Sequence, residues 1–216
     1  KFPSMPGFNI NEATDILLKR DFDKYREIGE PHPFLVAKGR DFLIPFSHEH
    51  FELWTQSLHF GAKDRLNFVD PKTNLKVGGG LDDVWLNINT NCLHIVDYKS
   101  TSQKSDKGPI TLDDPWKASY KRQMDLYVWV LRKKGFHVDD VGYFLYCDGD
   151  RFSEYDFLSS TTASMNFKIT LIDYKTNDTW IEPTLQDISE CLNESKRPQH
   201  SDYCEYGKFL TQSLNQ

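Results

Sequence analysis

Long hydrophobic runs are missing from this chain: nothing approaches the roughly 20 consecutive apolar residues that a membrane-spanning helix needs. No charged-apolar-small signal peptide opens the sequence at Lys1. A soluble, cytoplasmic chain with reduced thiols is therefore the expectation. Cysteine is sparse. Cys92, Cys147, Cys191 and Cys204 stand far apart, with no C-x-x-C and no His at finger spacing, which argues against a structural zinc site. "HEH" at His48 to His50 lacks the i, i+4 spacing of a helical zinc pair. A G-x-S-x-G elbow is also absent, and no His is arranged with a plausible nucleophile, so a Ser or Cys hydrolase finds no support. Nor is there an internal repeat of domain size.

What remains is ordinary globular material of 216 residues, 38% hydrophobic, 14% aromatic and 27% charged, enough for one compact domain over 1–216. Net charge is −6, yet the segment from Lys99 to Lys134 carries nine Lys or Arg against four Asp. A basic stretch beside an acidic cluster suits a metal-dependent enzyme acting on phosphates, and equally a solvated helix face.

Periodicity divides the chain into an N-terminal helical part, 9–60, and a core, 64–175. Asn9 to Gly29 carries Ile10, Ala13, Leu17 and Ile28 at helical spacing, with Asn9 or Asn11 as cap and Gly29 as stop. "EPHPFLVAKGRDFLIPF" reads as an irregular connector. Phe51, Trp54 and Leu58 then predict a second helix. From Arg65 the period falls to two: "RLNFVD", "LKVGGGLDDVWLNI" and "CLHIVDYKS", separated by "PKTN" and "NTN", predict three successive antiparallel strands. Gly78 to Gly80 interrupt the middle one, where bare backbone implies a bulge or a close approach. Pro115 to Gly135 predicts a helix. "VGYFLYC", "RFSEYDFL" and "MNFKITLIDYK" predict further strands, and "IEPTLQDISECLNESK" a closing helix before a polar tail.

The motif apolar-Asp-Tyr-Lys occurs twice, at Asp97 to Lys99 and at Asp173 to Lys175. On a strand, residues two apart share a face, so Asp97 and Lys99 project together and Tyr98 points away. A turn centred between Asn89 and Thr90 pairs residues whose numbers sum to 179, which sets Asp82 opposite Asp97 and Gly80 opposite Lys99. Asp83 then faces Val96 on the other side, although a bulge at the glycines would exchange the two acids. Two opposed carboxylates repel unless a cation lies between them, and hard oxygen donors favour Mg²⁺ or Mn²⁺. Lys99 beside them can stabilise charge growing on a phosphoryl group. In the following helix Tyr120, Gln123 and Tyr127 fall on one face. The second copy, with only Asp150 of the "DGD" turn upstream and no Gln-bearing helix behind it, reads as a strand end.

"GGLD" (Gly79 to Asp82), "VDYK" (Val96 to Lys99) and "YKRQMDLY" (Tyr120 to Tyr127), in that order, resemble the consecutive motifs of the PD-(D/E)XK nuclease superfamily in its RecB-like branch, which includes helicase-nuclease domains and CRISPR-associated RecB-type exonucleases. The resemblance implies a restriction-endonuclease-like α/β fold, a mixed central sheet with an antiparallel meander flanked by helices. It implies a Mg²⁺- or Mn²⁺-dependent deoxyribonuclease acting on single- or double-stranded DNA. Asp82, Asp97 and the Tyr98 backbone carbonyl would hold the metal, with Asp15 of "NEATDILLK" in the slot of the family's first motif. Lys99 would be the catalytic lysine. Gln123 and Tyr127 match the Q-x-x-x-Y element at the active site. Tyr120 and the basic Lys117, Lys121 and Arg122 would join them on substrate. Many members carry an iron-sulfur cluster, but "CEYG" (Cys204 to Gly207) puts Gly207 where they have a second cysteine, and four thiolates cannot be assembled. No cluster is expected. The competing class is a non-cleaving nucleic-acid-binding or assembly module that keeps the fold.

Overall fold

Helix α1 (Asn9–Ile28) has the predicted bounds but buries a different stripe. Thr14 and Phe22 are its buried residues, whereas Ile10, Leu17 and Ile28 are exposed. The largest ring sets the face: Phe22 stacks on Trp85 at 5.2 Å and on His32 at 4.5 Å, and Leu18 packs against the same core. The structure, a computed structural model, describes residues 9–55, 66–104, 108–196 and 198–214.

The proline-rich connector is more ordered than its composition implies. It holds a one-turn helix, α2 (Pro33–Ala37), with Pro33 in the first turn and the His32 ring accepting the Phe34 N–H, and a short strand, β1 (Leu43–Pro45). Leu35 and Leu43 are fully buried, so tertiary burial overrides weak local signals here. Helix α3 (Phe51–Thr55) follows, and the rest of the predicted second helix, Leu58 included, lies outside the described residues.

The expected three-stranded meander is corrected at the glycines. The long middle strand is two strands, β3 (Lys76–Gly78), paired with β2 (Asn67–Val69) in a small sheet of its own, and β4 (Asp83–Asn87). A Cβ on Gly78 would meet the Leu66 carbonyl oxygen at 2.2 Å, and one on Gly79 would meet the Tyr127 ring at 2.5 Å. Only bare backbone fits between these neighbours, and the chain leaves one sheet and enters the other there.

Strand β4 joins the main sheet, whose order is β1-β4-β5-β6-β7, with β5 (Cys92–Thr101), β6 (Val141–Gly149) and β7 (Phe167–Lys175). All neighbours are antiparallel except β5 and β6, which are parallel and linked by α4 (Ala118–Lys133) after a 3₁₀ turn at Pro115–Lys117. Gly135, at φ +92°, ends α4 as predicted. "RFSEYDFL" is not a strand: it forms turns with a single bridge, Leu158 to Ala163.

Side chains of β5 alternate between two cores. Val96 and Tyr98 join Phe22, Trp85, Tyr143 and Leu145 on the face that α1 covers. Ile95 and Asp97 face the other way with Phe144, toward α4, where Met124 lies against Gly142 so closely that a Cβ there would meet its sulfur at 2.6 Å.

Residues 1–69 and 76–178 form one compact unit, which holds this sheet. A second comprises 70–75 and 179–216, with helices α5 (Ile181–Asn193) and α6 (Glu205–Leu214), the latter in the tail read as merely polar. Among the described residues, no helix is long and apolar enough to cross a membrane.

Candidate active site

The register across β4 and β5 decides which acid stands beside Asp97. Asp83 pairs with Val96 and Val84 with Ile95, as the turn arithmetic predicts, and the ladder stops there. Asp82, one residue before β4, lies next to the unpaired continuation of β5 and accepts the Tyr98 N–H on Oδ2 at 2.9 Å. In an extended strand the N–H and C=O of one residue leave the same edge, so the Tyr98 carbonyl also leaves toward Asp82.

Asp83 is committed elsewhere. Its oxygens take Arg26 Nη2 at 2.6 Å, the Tyr98 hydroxyl at 2.6 Å, the Trp85 indole at 3.1 Å and the Val84 N–H at 2.7 Å. This is a saturated buried carboxylate tying α1 to β4 and β5, with nothing left for a ligand.

Asp97 is 3% exposed and pairs with the Lys99 ammonium, which also lies 4.5 Å over the Tyr120 ring. Its Oδ2 touches that ammonium yet receives no well-angled hydrogen bond. Burial pushes the Asp97 carboxyl up to about 7, Asp82 and Asp15 push the same way, and Lys99 opposes them. The Asp82 carboxyl is also raised, first by burial, against the opposing charges of Lys19 and Lys99.

Lys19 was missed by sequence reasoning, although its i, i+4 spacing from Asp15 was legible. Its ammonium sits 2.9 Å from Asp15 and 3.6 Å from Asp82, bridging the two. Asp15 is thus close enough for its charge to raise both other acids, but its own oxygen is held by Lys19. Thr14, beside it, shares a hydrogen bond with Ser100 and pins this turn of α1 to β5.

Helix α4 closes the site. Gln123 donates from Nε2 to the Tyr127 hydroxyl at 3.0 Å, and Tyr127 packs against Gly79. Burial, helped by the charges of Asp82 and Asp97 and opposed by the Gln123 bond, pushes the Tyr127 phenol up to about 12, so it stays a neutral hydroxyl. Lys121 is half-buried and Arg122 exposed. Lys117 differs from the expectation of a surface contact. It is 5% exposed, with its ammonium donating to the Thr111 carbonyl at 2.6 Å and pairing with Asp114 at 2.9 Å, because the 3₁₀ turn directs it inward.

The second DYK copy lies on β7, which among the described residues pairs with β6 alone and so stands at the sheet edge. Asp173 there binds Arg40 at 2.5 Å at the surface.

A family model described as the PD-(D/E)XK nuclease superfamily matches residues 22–208, most of the chain. The chain belongs to the PD-(D/E)XK nuclease superfamily. Its five-stranded mixed sheet with flanking helices is the restriction-endonuclease-like fold of that superfamily, and membership implies a metal-dependent nuclease, a phosphodiester hydrolase. No curated protein matches the sequence.

The residues present fit a hard divalent cation. Asp82, Asp97 and the Tyr98 carbonyl are hard oxygen donors at one edge, and the buried Asp97 Oδ2, in charge contact with Lys99 but without a well-angled hydrogen bond, is the kind of donor such a cation would take. Among the described residues no three His, Cys, Asp or Glu side chains are drawn together at ligating range, and the ammonium groups of Lys19 and Lys99 lie against Asp82 and Asp97.

Proposed function

We propose that this PD-(D/E)XK protein is a RecB-like deoxyribonuclease that uses Mg²⁺ or Mn²⁺ and acts as an exonuclease. The observation that carries the reading is that Asp82, bonded to the Tyr98 N–H, lies within electrostatic reach of the Asp97 and Lys99 pair at one edge of β5, beside Gln123 and Tyr127 of α4. The RecB-like assignment and the preference for DNA rest on the order and spacing of the three motifs.

Asp82, Asp97 and the Tyr98 carbonyl would hold the cation, which when bound supplies Lewis-acid polarisation of a phosphoryl oxygen. Lys99, which shares a face with Asp97 and lies over the Tyr120 ring, would set its ammonium against the negative charge that grows on the phosphoryl group. Gln123 and the neutral Tyr127 hydroxyl are donors that orient the scissile phosphate. Lys19 counters the Asp15 and Asp82 charges.

The test is to incubate end-labelled and internally labelled DNA, single- and double-stranded, and matching RNA with the wild type and with Asp82→Ala and Lys99→Ala, in Mg²⁺ or Mn²⁺. Mononucleotide release from DNA by the wild type alone is expected. Undiminished cutting by both variants overturns the site. Binding without cutting by the wild type moves the assignment to the non-cleaving module.

A further inference from the structure

Past Lys99 the site opens into a groove of about 500 Å³ beyond the C-terminal end of β5. Its walls include Gln103, Lys104, Trp116, Lys117, Tyr146 and Arg151. A second recess of about 300 Å³ shares Gln103, Lys104 and Arg151 with it and adds Phe152 and Lys168, so the two adjoin and together mark a path along this surface.

Three features of this path suit a ligand. Trp116 and Phe152 are 57% and 53% exposed, although packing would normally cover rings of that size. The Tyr146 hydroxyl, in a side chain only 2% exposed, has no hydrogen-bond partner among the described residues. Such an orphan is costly unless a ligand or water answers it. Lys104, Arg151 and Lys168 are exposed cations along the path, and Arg151 is steadied by Ser102, whose hydroxyl accepts from Nε at 2.9 Å.

The acids in the same walls are already engaged. Asp114 pairs with Lys117, Asp148 accepts the Gln103 N–H at 2.9 Å and Asp150 accepts the Phe152 N–H at 2.9 Å. The path is joined to the chemistry by rings: Trp116 meets Tyr120 edge-on at 5.4 Å, and Tyr120 lies under Lys99.

Alternating exposed aromatics and cations suit a single strand, whose unpaired bases offer faces for stacking while its phosphates follow the positive charges; a duplex keeps its base faces inside. We propose that this path is a binding track for single-stranded nucleic acid flanking the scissile phosphate, with bases stacked on Trp116 and Phe152, the Tyr146 hydroxyl bonded to a base or sugar edge, and phosphates held by Lys104, Arg151 and Lys168. The proposal rests on the nuclease reading for the identity of the scissile site, but the track itself is measurable without cutting.

The experiment is fluorescence anisotropy of a labelled oligothymidylate and of a blunt duplex of equal length, in EDTA, with the full chain. Trp116→Ala and Phe152→Ala are each expected to weaken single-strand binding about 10-fold, Trp116→Phe to retain it, and duplex binding to change far less. Lys168→Ala should lower the salt slope by about one unit. Unfolding midpoints confirm that these exposed positions leave the fold intact. Unchanged oligothymidylate affinity in both alanine variants, or equal losses for duplex and single strand, overturns the track. Weakened binding in a protein that never cuts would keep the track and remove the nuclease reading.

Discussion

Replacing Asp97 by Asn is expected to stabilise the metal-free protein at pH 8 and to leave it unchanged at pH 4. The Asp97 carboxyl is pushed up to about 7 in the folded chain, against 3.8 for the ordinary group, with burial as the largest cause. Between those values the folded state holds a proton that the unfolded state has released, so stability falls as pH rises from about 4 to about 7 and stays low above that. At about 1.4 kcal/mol per pH unit the cost reaches about 4 kcal/mol at its ceiling. Asn removes the charge and the cost, but strands the Lys99 ammonium, which takes part of the gain back. A net gain of about 2 kcal/mol would raise the unfolding midpoint by about 5 °C for a chain of this size. Thermal unfolding from pH 4 to 8 in EDTA gives the two profiles, and their difference cancels the titrating groups remote from Asp97, leaving Asp97 together with the Asp82 and Lys99 charges that act on it. Mn²⁺ should then raise the wild-type midpoint at pH 8 and leave Asp97→Asn unmoved. Parallel profiles for the two proteins would refute the claim that this carboxylate is held at a cost for a cation.

Neighbouring acids should separate cleanly by assay: Asp82→Asn abolishes cleavage with little loss of stability, whereas Asp83→Asn unfolds more easily by about 3 kcal/mol, because it leaves Arg26 buried beside a neutral partner. Gly79→Ala must displace the Tyr127 ring, and kcat in a single-turnover cleavage assay should fall roughly 100-fold, the usual consequence of a misplacement of about 1 Å. Lys99→Ala should lose about 10²- to 10³-fold in kcat with KM nearly constant. Asp173→Ala, which breaks a surface pair with Arg40, should cut as the wild type does and lose less than about 1 kcal/mol in denaturant unfolding.

Local signals made the site unusually legible. The turn at Asn89 and Thr90 sets the pairing of β4 with β5, and once the sum of paired positions is known, parity alone places Asp82, Asp97 and Lys99 on one side and Asp83 and Tyr98 on the other. The i, i+3, i+7 spacing likewise places Tyr120, Gln123 and Tyr127 on one face of α4. These are short-range facts of strand and helix geometry, so a single sequence carries them. Long-range packing is different in kind. That Asp83 is consumed by Arg26, 57 residues away, that α1 turns Phe22 rather than Leu17 inward, and that Lys117 is buried all depend on which surfaces meet, and no local period encodes that.

The sequence by itself thus determined the mixed α/β architecture, the register of the β4–β5 hairpin and the candidate residues with chemistry to offer. Only the tertiary structure decided that the Gly78 to Gly80 run splits one strand between two sheets, that Lys19 bridges Asp15 to Asp82, and that Trp116 and Tyr146 line one groove and Phe152 an adjoining recess. The reason is physical: pairing within a hairpin is settled by a turn of a few residues, whereas a close approach, a bridging charge and a groove exist only when segments distant in the chain compete for the same space.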